Sequence, residues 1–182
     1  MDYTEKALRR ISAYQGVIVD VTEDMVELPN GFVTVREVVH HPGGVCVAAV
    51  DDRRQITVVR QFRYPFQRHL LELPAGKLEP GEEPLPAARR ELSEETGLEA
   101  DTWIDLGAVY TSPGFSTETL YLYLALGLHQ GAAHPDPNEF LDVEKLPLDQ
   151  LLARISGGEI QDAKTVIGAL KAERWLMQKG RN

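Results

Sequence analysis

The alternation of apolar and polar positions begins in earnest at Gly16-Val17-Ile18-Val19-Asp20-Val21, an extended β-branched run. A turn signal, Pro29-Asn30-Gly31, separates it from a second extended run, Phe32 to Val39, so residues 16–41 predict an antiparallel ribbon. Such a ribbon either packs on its own domain, the reading its residues favour, or serves as an exchanged arm. Gly44 to Val50 and Gln55 to Phe62 predict two strands around the polar turn Asp51-Asp52-Arg53-Arg54. Trp103 to Tyr110 and Thr119 to Leu126 predict two more; in the second, Leu120, Leu122 and Leu124 share one side and Tyr121 and Tyr123 the other. Thr111 to Glu118 is loop by composition. The C-terminal part predicts helices over Pro147 to Ile155 and Asp162 to Lys179. Asp162 caps the second, which carries a stripe of Val166, Ile167, Leu170 and Met177.

Between these runs lies the stretch that carries chemistry, Gly76 to Leu98. Pro84 or Pro86 can occupy the first turn of a helix without losing a hydrogen bond, and Gly97 can close it in a left-handed conformation. Glu91, Glu94 and Glu95 stand at i, i+3 and i+4 and project from one face of that helix, beside an apolar stripe of Leu85, Ala88 and Leu92. Half-burying an unpaired carboxylate is costly. Either basic side chains such as Arg89 and Arg90 neutralise the cluster, or a hard divalent cation does so through oxygen ligands, with Ala87 leaving room for it.

Composition narrows the partners. The 182 residues suit one sizeable domain, with 43% hydrophobic and 26% charged residues. A formal charge of -9, from 28 acidic and 19 basic residues, disfavours a nucleic acid polymer, so a phosphate substrate must meet a local cation. The single cysteine, Cys46, lies in an apolar run and reads as a buried, inert thiol. With no intrachain disulfide, no signal-peptide pattern and no apolar stretch long enough for a membrane span, the expected location is cytoplasmic. The five histidines offer no metal-ligand spacing.

The string from Gly76 through Glu82 to Arg90-Glu91-Leu92-Ser93-Glu94-Glu95-Thr96-Gly97-Leu98 resembles the signature of the Nudix hydrolases at every fixed position over 23 residues. The resemblance extends through Tyr14-Gln15-Gly16, Arg36-Glu37, His41-Pro42-Gly43 and Leu73-Pro74-Ala75-Gly76. Pro113, 16 residues after Gly97, resembles the marker proline of the ADP-ribose pyrophosphatase branch. The resemblance implies an α/β/α sandwich with a mixed sheet plus an N-terminal antiparallel β-unit. It also implies a division at residue 42 into that unit, exchanged across a homodimer, and a hydrolase domain over 43–182.

The implied reaction is hydrolysis of ADP-ribose, a small nucleoside diphosphate sugar, to AMP and ribose 5-phosphate with Mg²⁺ or Mn²⁺. The implied metal ligands are Glu91, Glu94, Glu95 and the carbonyl of Ala75, with Arg90 orienting a glutamate and Glu82 supporting the helix or an outer-shell metal. Arg60 and Arg63, taken as two positions apart, are expected on one face of a strand. Arg63 is expected to clamp a phosphate, because guanidinium forks match phosphate oxygens. His129 to Asn138 reads as a loop ending at Glu139, the expected general base, with Asp136 or Glu144 as alternatives. Glu37, Ser112 and the Pro113 loop are expected substrate contacts. Two other readings stay open: another Nudix substrate, such as a different nucleotide sugar or an oxidised nucleoside triphosphate, and a non-catalytic nucleotide sensor.

Overall fold

Residues 44–50 are buried along their whole length, a condition met only by a central strand covered on both faces. The computed structural model describes residues 2–131 and 140–180. Its elements are β1 (Lys6–Gln15), β2 (Asp20–Glu27), β3 (Val33–His40), β4 (Gly44–Val50), β5 (Gln55–Arg63), β6 (Arg68–Glu72), β7 (Ala75–Lys77), α1 (Pro84–Thr96), β8 (Leu98–Tyr110), β9 (Thr119–Gln130), β10 (Leu141–Pro147), α2 (Leu148–Ser156) and α3 (Ala163–Lys179). They form two compact units, one of residues 1–43 with 110–119 and the other of residues 44–109 with 120–182. The segment 110–119 belongs to the first unit.

In the larger unit the sheet runs β10-β5-β4-β9-β8, with β6 on β5 and β7 on β4. The β4–β9 pair is parallel while β5 is antiparallel to both β4 and β10, so the sheet is mixed. Alternation along β4 sends Cys46, Ala48 and Val50 into a core shared with Leu148 and Leu151 of α2 and Ala169 and Ala172 of α3. Val45, Val47 and Ala49 pack on the opposite face with Ala87, Ala88 and Leu92 of α1. The sandwich therefore follows from one doubly buried strand. Leu122 and Leu124 lie in the first core and Tyr123 in the second, as the alternation in β9 predicts. Cys46 is buried, and burial pushes its thiol up to about 12, in keeping with an inert side chain.

β4 and β5 pair at Ala49↔Thr57 and Val50↔Ile56, after which each finds another partner. β5 pairs with β6 from Val59↔Glu72 to Arg63↔Arg68, and β4 pairs with β7 from Cys46↔Ala75 to Gly44↔Lys77. Leu73 and Pro74 cross between the two ladders, and the Pro74 carbonyl accepts the Val47 amide at 2.8 Å.

Two predicted elements are corrected. Of the expected α3 stripe, Val166 and Ile167 pack against the core, whereas Leu170 and Met177 are about half exposed and the fully buried positions are Thr165, Gly168, Ala169 and Ala172. Small residues win this face because the helix comes close: a Cβ on Gly168 would fall 2.7 Å from Leu73 Cδ1. Arg60 and Arg63 do not share a face, because three positions is an odd spacing in a period of two. Arg60 lines a cavity of about 410 Å³ with Leu71 and Ile160, whereas Arg63 bonds Glu72. That cavity includes none of the α1 glutamates.

The smaller unit is a three-stranded antiparallel sheet, β1-β2-β3, where a two-stranded ribbon was expected. β1 is exposed at every position and its apolar residues Leu8, Ile11 and Tyr14 do not alternate, and Gly16 to Val19 forms the turn into β2 with a 3.0 Å bond from the Gly16 amide to the Val19 carbonyl. Pro29-Asn30-Gly31 makes the turn between β2 and β3, with Gly31 at φ 82°. Among the described residues no helix is long and apolar enough to cross a membrane.

Leu124→Ala is expected to cost about 2–5 kcal/mol by loss of burial and a cavity, and Leu170→Ala less than about 0.5 kcal/mol. Urea denaturation of both variants checks the corrected face of α3.

Candidate active site

The loop before α1 and the helix itself are set by local chemistry. Pro84 begins the helix, and Gly97 ends it at φ 68°, its amide bonding the Ser93 carbonyl at 2.8 Å. With Ala88 and Leu92 locked in the core, Glu91 and Glu95 are carried to the buried side of the helix, each 7% exposed, while Glu94 remains more open.

One guanidinium organises this acidic face. Arg90 donates through Nε and Nη2 to the two Glu82 oxygens, both at 2.9 Å, and through Nη1 to Glu91 Oε1 at 2.8 Å and Glu94 Oε2 at 2.9 Å. Its Nη2 also reaches the Lys77 carbonyl at 3.2 Å. Glu82 fastens the loop by accepting the Glu79 amide at 3.0 Å. The hydrogen bond from Arg90 holds the Glu82 carboxyl below the usual carboxylate range, and the bond to Glu82, reinforced by Glu91 and Glu94, raises Arg90 above the ordinary guanidinium value. Arg89 takes no part; it lies over the Trp103 ring, 5.8 Å from its centroid.

β7 supplies the opposite wall. The Ala75 amide donates to Glu95 Oε2 at 3.0 Å. A Cβ at position 76 would fall 1.9 Å from the Glu91 carboxylate, so any side chain there would displace Glu91 from its contacts. Close approach, rather than an unusual dihedral angle, explains this glycine.

The donors suit a hard divalent cation. Three carboxylates and a backbone carbonyl offer oxygen alone, the chemistry of Mg²⁺ and Mn²⁺ sites, and the backbone at Gly76 is pressed against one of them. Arg90 is shared among Glu82, Glu91 and Glu94, which leaves that group of charges net negative. Among the described residues no three such side chains stand close enough to form a ready-made cage. Ala87, expected to leave room for the cation, is wholly buried against the sheet and serves the approach of α1 instead.

Arg63 has a partner that its own stretch of sequence does not name. Its Nε and Nη2 grip the two oxygens of Glu72, each at 2.7 Å, and Glu72 also accepts Lys164 Nζ. Burial alone would push the Glu72 carboxyl up, but the Arg63 hydrogen bonds and the Lys164 charge together hold it below its ordinary value. The sequence does contain a signal, an acid enclosed in the apolar run from Leu70 to Ala75, which must find a cation when buried. No comparable signal marks Lys164.

The remaining expected residues lie elsewhere. Glu37 is on β3, opposite Glu23. Ser112 and Pro113 belong to the loop that β3 holds through Val39, whose amide bonds the Phe115 carbonyl at 2.7 Å and whose carbonyl accepts the Thr117 amide at 3.0 Å. These three residues are in the smaller unit and the glutamates and Arg63 in the larger. Glu139, the expected base, and Asp136 lie outside the described residues. Glu144 lines the cavity beside Arg60.

Because Glu72 is held below its unfolded value near 4.5, its ionised form stabilises the fold fully above that pH, and the contribution is lost as pH falls through the lower folded value. Glu72→Gln should therefore lose less stability than the parent on acidification below about pH 4.5, measured by urea denaturation. Equal losses would contradict the assignment.

A NUDIX domain matches residues 40–166. The chain is 44% identical over 167 residues to the methanol dehydrogenase activator of Bacillus methanolicus, covering 91% of this chain and 90% of that protein. It is 43% identical to the ADP-ribose pyrophosphatase of Bacillus subtilis, covering 88% of each. The ADP-ribose pyrophosphatase of Mycobacterium tuberculosis is 39% identical, covering 86% of this chain and 77% of that protein. The fold is shared with a crystal structure of an ADP compounds hydrolase, at a TM-score of 0.86 and 21% identity over 98% of this chain and 97% of that one. With the matched region spanning the β7 wall, the α1 glutamates and their arginine, the chain belongs to the Nudix hydrolase family.

Proposed function

We propose that the protein hydrolyses the pyrophosphate bond of ADP-ribose, releasing AMP and ribose 5-phosphate. The observation that carries this reading is the oxygen-rich face of α1, in which Glu91 and Glu95 are buried against β7 and one arginine orders the carboxylates. Similarity over most of the chain to two proteins named ADP-ribose pyrophosphatase supports the substrate.

Glu91, Glu94, Glu95 and the Ala75 carbonyl would hold Mg²⁺ or Mn²⁺. When bound, such ions neutralise pyrophosphate charge and lower the pKa of a coordinated water. The chain's own residues supply the positioning. Arg90 keeps Glu91 and Glu94 oriented. Arg63 offers a guanidinium to a phosphate oxygen and stabilises the charge that gathers as the bridging oxygen leaves. Glu139 takes the proton of the attacking water, a role supported by the family resemblance. The new bond joins water oxygen to phosphorus, and the broken one is the phosphoanhydride. Glu37, Ser112 and Pro113 are retained as substrate contacts on the same resemblance.

A second reading, activation of a dehydrogenase, is supported by the similarity to the Bacillus methanolicus protein. It predicts faster turnover by methanol dehydrogenase when this protein is added.

We also infer a homodimer formed through the N-terminal unit, a reading supported by its exposed apolar residues Leu8, Ile11, Tyr14, Ile18 and Val35. The expected location is cytoplasmic.

Glu95→Gln should lower kcat on ADP-ribose by about two or more orders of magnitude while calorimetry still detects ADP-ribose binding. Unchanged kcat would remove the glutamate face from the mechanism. Sedimentation velocity at micromolar concentration should give a dimer, and a monomer would refute the assembly.

A further inference from the structure

Arg63 is a phosphate ligand in the proposed hydrolysis, and the role assigned to its neighbours rests on that reading. A guanidinium presents its donors along fixed edges. Glu72 occupies the edge formed by Nε and Nη2. Among the described residues Nη1 has no hydrogen-bond partner, so one edge is held and another is left for a ligand.

The holding group is itself held. Glu72 is 1% exposed, and its Oε2 accepts both Arg63 Nη2 and Lys164 Nζ. Lys164, in the first turn of α3, also donates to Asp162 Oδ1 at 3.0 Å. Two cations and two carboxylates form a continuous neutral series from Asp162 through Lys164 and Glu72 to Arg63. The same turn of α3 grips the neighbouring backbone: Asp162 Oδ2 accepts the Thr165 hydroxyl at 2.6 Å, and Thr165 Oγ1 accepts the Leu73 amide at 2.9 Å. Two residues on, the Ala75 amide meets Glu95.

Stability gives little reason for this arrangement. Buried ion pairs frequently do no better than apolar residues of the same volume, because desolvation offsets their attraction. Orientation gives a reason, since a bidentate grip removes the rotational freedom of a long side chain, and the cost of ordering it is met before the ligand arrives. We propose that Glu72 and Lys164 are positioning residues that hold Arg63 by one edge of its guanidinium, keeping Nη1 available to an anionic phosphate oxygen of the substrate.

The test is a double-mutant cycle read as kcat/KM for ADP-ribose with Mg²⁺, with circular dichroism melting of each variant to establish folding. Glu72→Gln should lower kcat/KM about tenfold to a hundredfold, by analogy with groups that orient metal ligands, and Lys164→Met should lower it less. The effect should lie in KM if Arg63 grips the ground state, and in kcat if it acts on the transition state. Combined with Arg63→Ala, neither substitution should reduce activity further, since a positioning residue has nothing left to position. Losses that multiply with that of Arg63→Ala would overturn the proposal, as would folded single variants with parental kcat/KM. Should Glu72→Gln fail to fold, the Lys164→Met arm decides by the same criterion. Parental kcat/KM in Arg63→Ala would overturn the phosphate role itself and this proposal with it. Impaired Arg63→Ala with multiplying losses overturns only the positioning.

Discussion

β4 and β5 stay paired for two residues and then part, and everything at the site depends on how the chain fills the space between them. β6 stays on β5 and β7 on β4, so Leu73 and Pro74 must cross from one ladder to the other. A strand segment in transit has its polar groups satisfied partly outside the sheet, as buried backbone requires. Here the Leu73 amide goes to Thr165, the Pro74 carbonyl to Val47 and the Ala75 amide to Glu95. The crossing thereby ties α3, the central strand and α1 to four consecutive residues, 72–75.

Two concentrations of charge meet this crossing, and they are arranged in opposite ways. At α1, Glu82 of the preceding loop and Glu91 and Glu94 of the helix share one arginine, so negative charge remains in excess. Around Glu72 the charges balance, two against two, and among the described residues Nη1 of Arg63 has no hydrogen-bond partner. One arrangement concentrates negative charge, the other neutralises it within its own contacts. Both are reached from the same strip of chain, residues 72–76.

Much of this is readable in the sequence. The loop, helix and closing glycine from Gly76 to Leu98 are specified locally, so Glu91, Glu94 and Glu95 can be placed on one face from spacing alone. β4 and β9 announce themselves through apolar runs and alternation. β1 does not, because its apolar residues Leu8, Ile11 and Tyr14 stand three apart and two register shifts against β2 interrupt the period of two. The α3 face is legible only in part: Val166 and Ile167 pack as their hydrophobicity suggests, while glycine and alanine are buried where a Cβ on Gly168 would meet Leu73. Arg60 and Arg63 show a simpler failure, an odd spacing read as an even one. Lys164 is invisible for a physical reason: its partner lies 92 residues away, and no local pattern records a pairing made by the tertiary fold.

The central claim is that the glutamate face of α1 serves a metal-dependent hydrolysis of ADP-ribose. The most direct measurement is turnover of ADP-ribose beside a nucleoside triphosphate and a UDP-sugar, with Mg²⁺ or with EDTA, the products being separated by chromatography. The account predicts AMP and ribose 5-phosphate, chiefly from ADP-ribose and only with the metal. Tight binding of ADP-ribose without turnover, or equal turnover in EDTA, would contradict it.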